Sequence, residues 1–153
     1  MSKATDSSSS EIIEPDGLLD TSVVISMGAQ DPATLPVFPA ISAVTLAELS
    51  VGPLVARDDS SRAARQARLQ VTEANFDPIP LDAEAARAFG LVSSALRSQG
   101  RKSSARAYDA LIAAIALSRG LPLFTLNPAD FEGIPGLQIR VPQPPRRSNP
   151  ESD

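Results

Sequence analysis

Asp20, Glu48, Asp109 and the pair Asn127 and Asp130 are the side chains whose types and positions point to chemistry. Each stands where an apolar run gives way to a turn or to the first turns of a helix. Asp20 follows Gly17-Leu18-Leu19, Glu48 follows Ala40-Ile41, Asp109 heads an alanine-rich segment, and Asn127 and Asp130 lie just past Leu121 to Thr125. In a parallel sheet covered by helices, the carboxyl ends of the strands share one edge, and ligands bind there. Clustered carboxylates repel one another strongly unless a divalent cation sits between them. An all-oxygen donor set suits Mg2+ or Mn2+, which keep several waters and take phosphate oxygens as further ligands. Taken singly, each residue also has a local reading. Asp20 and Asp109 suit helix starts, where the macrodipole favours a carboxylate, and Glu48 fits a capping box with Thr45.

Composition narrows the chemistry further. Across its 153 residues the chain has no histidine and no cysteine, which excludes a serine–histidine hydrolase, a histidine-based ribonuclease, a cysteine nucleophile, thiolate zinc sites and disulfides. Hydrolysis here must run through carboxylates, lysine, tyrosine or a hard cation. A covalent aspartyl phosphatase needs a second Asp shortly after the first, and Thr21-Ser22-Val23 supplies none. The net charge of −4 opposes an overall electrostatic grip on nucleic acid, so any such grip must be local. At 42% hydrophobic residues the chain is one domain's worth of core. With no apolar run long enough for a bilayer, and a polar start where a signal peptide would be apolar, the expected location is the cytoplasm.

The elements that must position these groups read as an α/β pattern. Residues 1 to 16, Ser-rich and acidic, are expected to be a disordered tail, as is the Pro-rich stretch 142 to 153. Leu18 and Leu19 end a buried strand, and Thr21 or Ser22 is the expected cap of the helix that follows. Asp31 to Pro39 is a loop. Ala40 to Leu49 is a brief strand feeding a helix capped by Ser42 and stopped near Gly52-Pro53. Ser60 to Val71 is helical, with Arg62, Arg65 and Arg68 along one face, which is either solvated or tracks a phosphate backbone. Phe76 to Leu81, broken by Pro78 and Pro80, suits only a short or edge strand. Asp82 caps a long helix with Ala85, Ala88, Phe89, Val92 and Leu96 as its buried stripe, ending at Gly100. After the basic loop Arg101 to Arg106, a helix from Asp109 to Arg119 is apolar nearly all round and must be central. Leu121 to Thr125 and Leu137 to Val141 complete the strands.

Four segments in this order resemble the successive motifs of PIN domains, most closely those of VapC-type toxins of bacterial toxin–antitoxin pairs. They are Leu18-Leu19-Asp20-Thr21-Ser22, Thr45-x-x-Glu48-Leu49, Tyr108-Asp109-Ala110-Leu111-Ile112-Ala113-Ala114 and Thr125-x-Asn127-x-x-Asp130-Phe131-Glu132. The resemblance covers residues 17 to 141. It implies an α/β/α sandwich with a mostly parallel central sheet, and a metal-dependent endoribonuclease using Mg2+, or Mn2+ in its place. By motif position Asp20, Glu48 and Asp109 are the acidic metal ligands. Both Asn127 and Asp130 are available for a fourth place, with Asp130 favoured because it is ionised; Ser22, Thr125 and Asn127 are supporting groups. Asp20 and Asp109 would hold the cation that activates a water, and Glu48 would orient or deprotonate that water for attack on an RNA phosphodiester. Arg101, Lys102 and Arg106 are the best-placed contacts to RNA. The resemblance further implies a cognate antitoxin that inserts a segment beside the carboxylates, and a homodimer. A PIN fold that has lost its chemistry and serves as a binding module is the competing expectation, opposed by the intact acidic set.

Overall fold

The computed structural model describes residues 13–100 and 106–148. Strand β1 (Gly17–Leu19) runs into helix α1 (Thr21–Ile25), and after two single 3-10 turns comes β2 (Pro39–Ala40). Then follow α2 (Ala43–Val51), α3 (Asp59–Asn75), α4 (Ala83–Ser98), α5 (Ala107–Arg119), β3 (Leu123–Phe124) and β4 (Ile139–Arg140). The strands form one sheet in the order β2-β1-β3-β4, and every pairing is parallel.

Successive side chains of a strand point to opposite faces, and the apolar residues here divide accordingly. Leu18, Ala40 and Leu123 pack with Ala85 and Val92 of α4 and Ile112 and Ile115 of α5. Leu19 and Ile41 turn the other way, onto Val23, Val24 and Leu49, with Leu69 and Phe124 against them. Two core layers flanking one short parallel sheet make the expected α/β/α sandwich. Helix α5 is apolar nearly all round because it is central, with Ala110 and Ile112 through Ala116 all buried. Gly120 closes it in the left-handed conformation (φ +64°), which favours glycine. Among the described residues no helix is long and apolar enough to cross a membrane.

Local signals and structure agree at most helix starts. Ser42 accepts from the Thr45 N–H at 3.1 Å, and Asp82 from the Ala85 N–H at 3.0 Å. Three details differ from expectation. Helix α1 is capped by Asp20 itself, whose Oδ1 accepts from the Thr21 N–H at 2.8 Å, so the Thr21 and Ser22 hydroxyls are left for other partners. Helix α5 starts at Ala107, which places Asp109 within its first turn instead of at its head. The segment around Ile79 makes a single parallel bridge to Ser42, with Ile79 N–H donating to Ile41 O at 2.9 Å and Ala43 N–H donating to Ile79 O at 2.8 Å. Pro78 and Pro80 have no N–H, so the ladder cannot extend on either side.

Hydrogen bonds tie down both ends of the folded part. Asp16 exchanges bonds with Phe38, and Gln143 exchanges bonds with Asp31 and Thr34. Gly17 lies where β1 packs closest: a Cβ there would stand 2.5 Å from the Phe124 ring and 2.8 Å from Pro36. Gly17→Ala is expected to cost about 2 kcal/mol, as overpacking does, and to lower the thermal midpoint by about 6 °C. An unchanged melting curve would show that the strand has slack here.

Candidate active site

Strand β1 has β2 on one side and β3 on the other, and the chain winds away from it in both directions. The crevice of such a sheet opens beyond the carboxyl ends of the strands, where the winding reverses. The residues at that point are Asp20, just past β1, and Thr125, just past β3.

Asp20 is buried and held by three donors. Its Oδ1 accepts from the Thr21 N–H; its Oδ2 accepts the Ser22 hydroxyl at 2.9 Å and the Thr125 hydroxyl at 2.7 Å. Thr125 in turn accepts from the Asn127 N–H at 3.0 Å, and Ser22 accepts from the Leu126 N–H at 3.2 Å. Ser22 and Thr125 thus stitch the ends of β1 and β3 together through one carboxylate. The Asn127 side chain is exposed, and what it contributes is its backbone N–H.

Glu48 enters from α2. Its Oε1 accepts the Thr21 hydroxyl at 2.9 Å, and the Thr21 oxygen lies 3.0 Å from that of Thr45. A hydroxyl has one proton; Thr21 gives its proton to Glu48, so Thr45 donates to Thr21. The capping box of Thr45 with Glu48 does not form, because Ser42 caps α2 and Glu48 faces the neighbouring helix. Thr21 and Thr45, expected only as a helix cap and a capping-box partner, are what aim Glu48. Their signal was weak: adjacency to Asp20 for one, and one helical turn of spacing from Glu48 for the other.

Burial, with Asp20 as a further repulsive charge, pushes the Glu48 carboxyl above its usual range, and the Thr21 hydroxyl offsets part of this. Asp109, half-buried on the first turn of α5, is pushed up to about 6. Burial contributes most, followed by repulsion from Asp20, Asp130 and Glu48, while Arg106 pulls the other way. Asp20, Glu48 and Asp130 therefore all lie near enough to Asp109 to act on it.

Asp130 arrives on the single 3-10 turn Pro128–Phe131, whose Phe131 is buried against the α4 and α5 side of the core. It forms an ion pair with Arg106 at the start of α5. Of the three basic residues expected to meet RNA, Arg106 is engaged by a carboxylate, and Arg101 and Lys102 lie outside the described residues. Among the described residues no three acidic side chains converge closely enough to enclose an ion. On the other flank Arg65 and Arg68 of α3 line a cleft of 320 Å3 with Thr21 and Glu48.

The family model for the PIN domain matches residues 17–137. The chain belongs to the PIN-domain family. Ribonuclease VapC5 of Mycobacterium tuberculosis is 42% identical to this PIN domain over 123 residues, which cover 78% of this chain and 88% of that protein. Ribonuclease VapC4 of the same organism is 31% identical over 125 residues, covering 80% of this chain and 93% of that protein. Among solved structures, that of VapBC-5 from Mycobacterium tuberculosis, a member of the VapBC family of toxin–antitoxin systems, superposes with a TM-score of 0.72. Its sequence identity is 38%, over 82% of this chain and 98% of that one. The PIN domain's acidic edge thus sits on a backbone that superposes on that of VapBC-5.

Proposed function

We propose that the chain is a VapC-type ribonuclease toxin: an endoribonuclease that cleaves RNA phosphodiesters with a divalent cation, Mg2+ or Mn2+, and is neutralised by a cognate antitoxin. The observation that carries this reading is the gathering of carboxylates at the sheet edge, with Asp20 oriented by three hydrogen-bond donors and Glu48 held beside it on the Thr21 hydroxyl. The donor chemistry fits a hard cation, since every candidate ligand is an oxygen and no histidine or cysteine exists to hold a softer one. When bound, such a cation supplies Lewis acidity and a water ionisable near neutral pH.

The chain's own groups then have distinct tasks. Asp20 offers a carboxylate already oriented by three donors, with about one of its four lone-pair positions left open. Asp109 supplies the charge that a cation relieves. Glu48 uses one oxygen on Thr21 and keeps the other for the attacking water, and its raised affinity for protons suits it to take the proton as the phosphodiester is attacked. Asp130 is the fourth acidic group, a direct or water-mediated ligand whose charge is shared with Arg106. The similarity to VapC5 and to the VapBC-5 structure supports the toxin reading and a cognate antitoxin; an antitoxin segment beside the carboxylates and a homodimer are part of the same proposal.

The test is incubation with total bacterial RNA in Mg2+ and in EDTA, using the wild type and Asp20→Asn. Discrete fragments that appear only with the wild type in Mg2+ are expected. Folded, antitoxin-free protein that leaves RNA intact in every condition would overturn the reading in favour of a non-catalytic binding module.

A further inference from the structure

We infer that the cleft between α1, α2 and α3 is a subsite for an RNA phosphate next to the scissile one, with Arg68 as its principal contact and Arg65 as its fixed neighbour. The inference rests on the ribonuclease reading of the acidic edge. It starts from the arginines spaced three apart on α3, which the structure separates into different tasks. Arg62 is spent locally, on Asp59 at 2.8 Å and on the Ala56 carbonyl at 3.1 Å. Arg65 is seated against the α2 terminus, where its Nη1 donates to the Gly52 carbonyl at 2.9 Å and its Cδ would stand 3.3 Å from any Cβ at position 52. Four of its five N–H donors remain.

Arg68 lies one turn further along and is partly buried. Among the described residues its guanidinium has no ion-pair or side-chain hydrogen-bond partner. Both arginines share the 320 Å3 cleft with Glu48 and Thr21, and neither forms an ion pair with Glu48. A partly desolvated guanidinium left without an anion, in a cleft that opens on the reacting groups, is built for an anion that arrives with the substrate. An RNA strand cut at Glu48 must continue past it, and its next phosphate is such an anion. The apolar wall of Ile25 and Leu49 in the same cleft suits a ribose or base. The net charge of −4 makes a local cation necessary, and on the other flank Arg106 is held by Asp130.

The experiment measures binding of a fluorescein-labelled oligouridylate by anisotropy across a salt series, in an Asp109→Asn background that leaves the strand uncut. RNA cleavage by the otherwise wild-type chain is assayed in parallel. Arg68→Gln is expected to weaken binding about tenfold and to lower the salt slope by about 0.7, the value for one phosphate contact on a single strand. Arg68→Lys should keep most of the slope, and Arg87→Gln, exposed on α4 across the sheet, should change neither quantity. If the wild type cleaves RNA but Arg68→Gln binds with an unchanged slope, the subsite is wrong and the ribonuclease reading stands. An equal effect from Arg87→Gln also overturns it, as an unspecific charge effect. Loss of a co-expressed antitoxin with unchanged RNA binding would reassign the cleft to that protein. A wild type that cleaves no RNA removes both the reading and the subsite.

Discussion

Asp109→Asn is expected to abolish RNA cleavage and, in the same molecule, to stabilise the cation-free protein at neutral pH. The two effects share one cause. In the folded state the Asp109 carboxyl is pushed from 3.8 to about 6, by burial first and then by Asp20, Asp130 and Glu48. Between those values the folded protein holds a proton that the unfolded chain has released. Stability is therefore full at pH values below the unfolded value and declines as pH rises through about 6, where the folded carboxyl ionises against its neighbours. Discounted for solvent screening of a half-exposed group, the penalty at pH 7.5 is about 1 kcal/mol. Asparagine keeps the shape and cannot ionise, so the variant should melt about 3 °C higher than the wild type at pH 7.5 in EDTA, with the gain absent at pH 4. Its cleavage should fall by more than about a hundredfold, since groups that merely orient ligands already cost ten- to a hundredfold. A variant less stable than the wild type at pH 7.5 would mean that the Asp109 charge is welcome where it stands and that no cation is needed to relieve it.

Mg2+ or Mn2+ added to EDTA-treated protein should raise its melting temperature, and more so at pH 7.5 than at pH 5. At about a hundred times the dissociation constant, a ligand of the folded state alone contributes about 2.7 kcal/mol, or about 5–10 °C here. The pH dependence follows from competition: a cation must displace the proton that Asp109 retains below about 6. Asp20, Glu48 and Asp109 would hold the cation, and they would have to close on one another to do so, because no three acidic groups among the described residues enclose a point. Asp20→Asn should remove most of the shift. Equal melting curves with and without cation at pH 7.5, in protein of confirmed fold, would show that the acidic edge holds none.

Much of this architecture was legible in local chemistry. The alternation of Leu18 with Leu19, the Ser42 and Asp82 caps and the buried stripe of α4 are all short-range signals, and the structure repeats them. Where local reading slipped, a tertiary partner was competing for the same group. Thr21 has the chemistry of a cap, yet Asp20 caps α1, and the Thr21 hydroxyl goes to Glu48, 27 residues away. Arg106 has the chemistry of a phosphate contact, yet it pairs with Asp130, 24 residues on.

The chemistry available to this protein is written in its residue types: oxygen donors without histidine or thiol, on a parallel α/β pattern with Asp20, Glu48, Asp109 and Asp130 at a strand end, on helices or on a turn. Residue types and short-range periodicity suffice for that. Packing settled which oxygens are free, which charges are compensated and which arginines face the cleft. Those outcomes depend on contacts between distant segments, such as the Thr125 hydroxyl on Asp20 across 105 residues. They depend also on burial, which raises Asp109 and Glu48. Proximity and desolvation are properties of packing, and no local pattern encodes them.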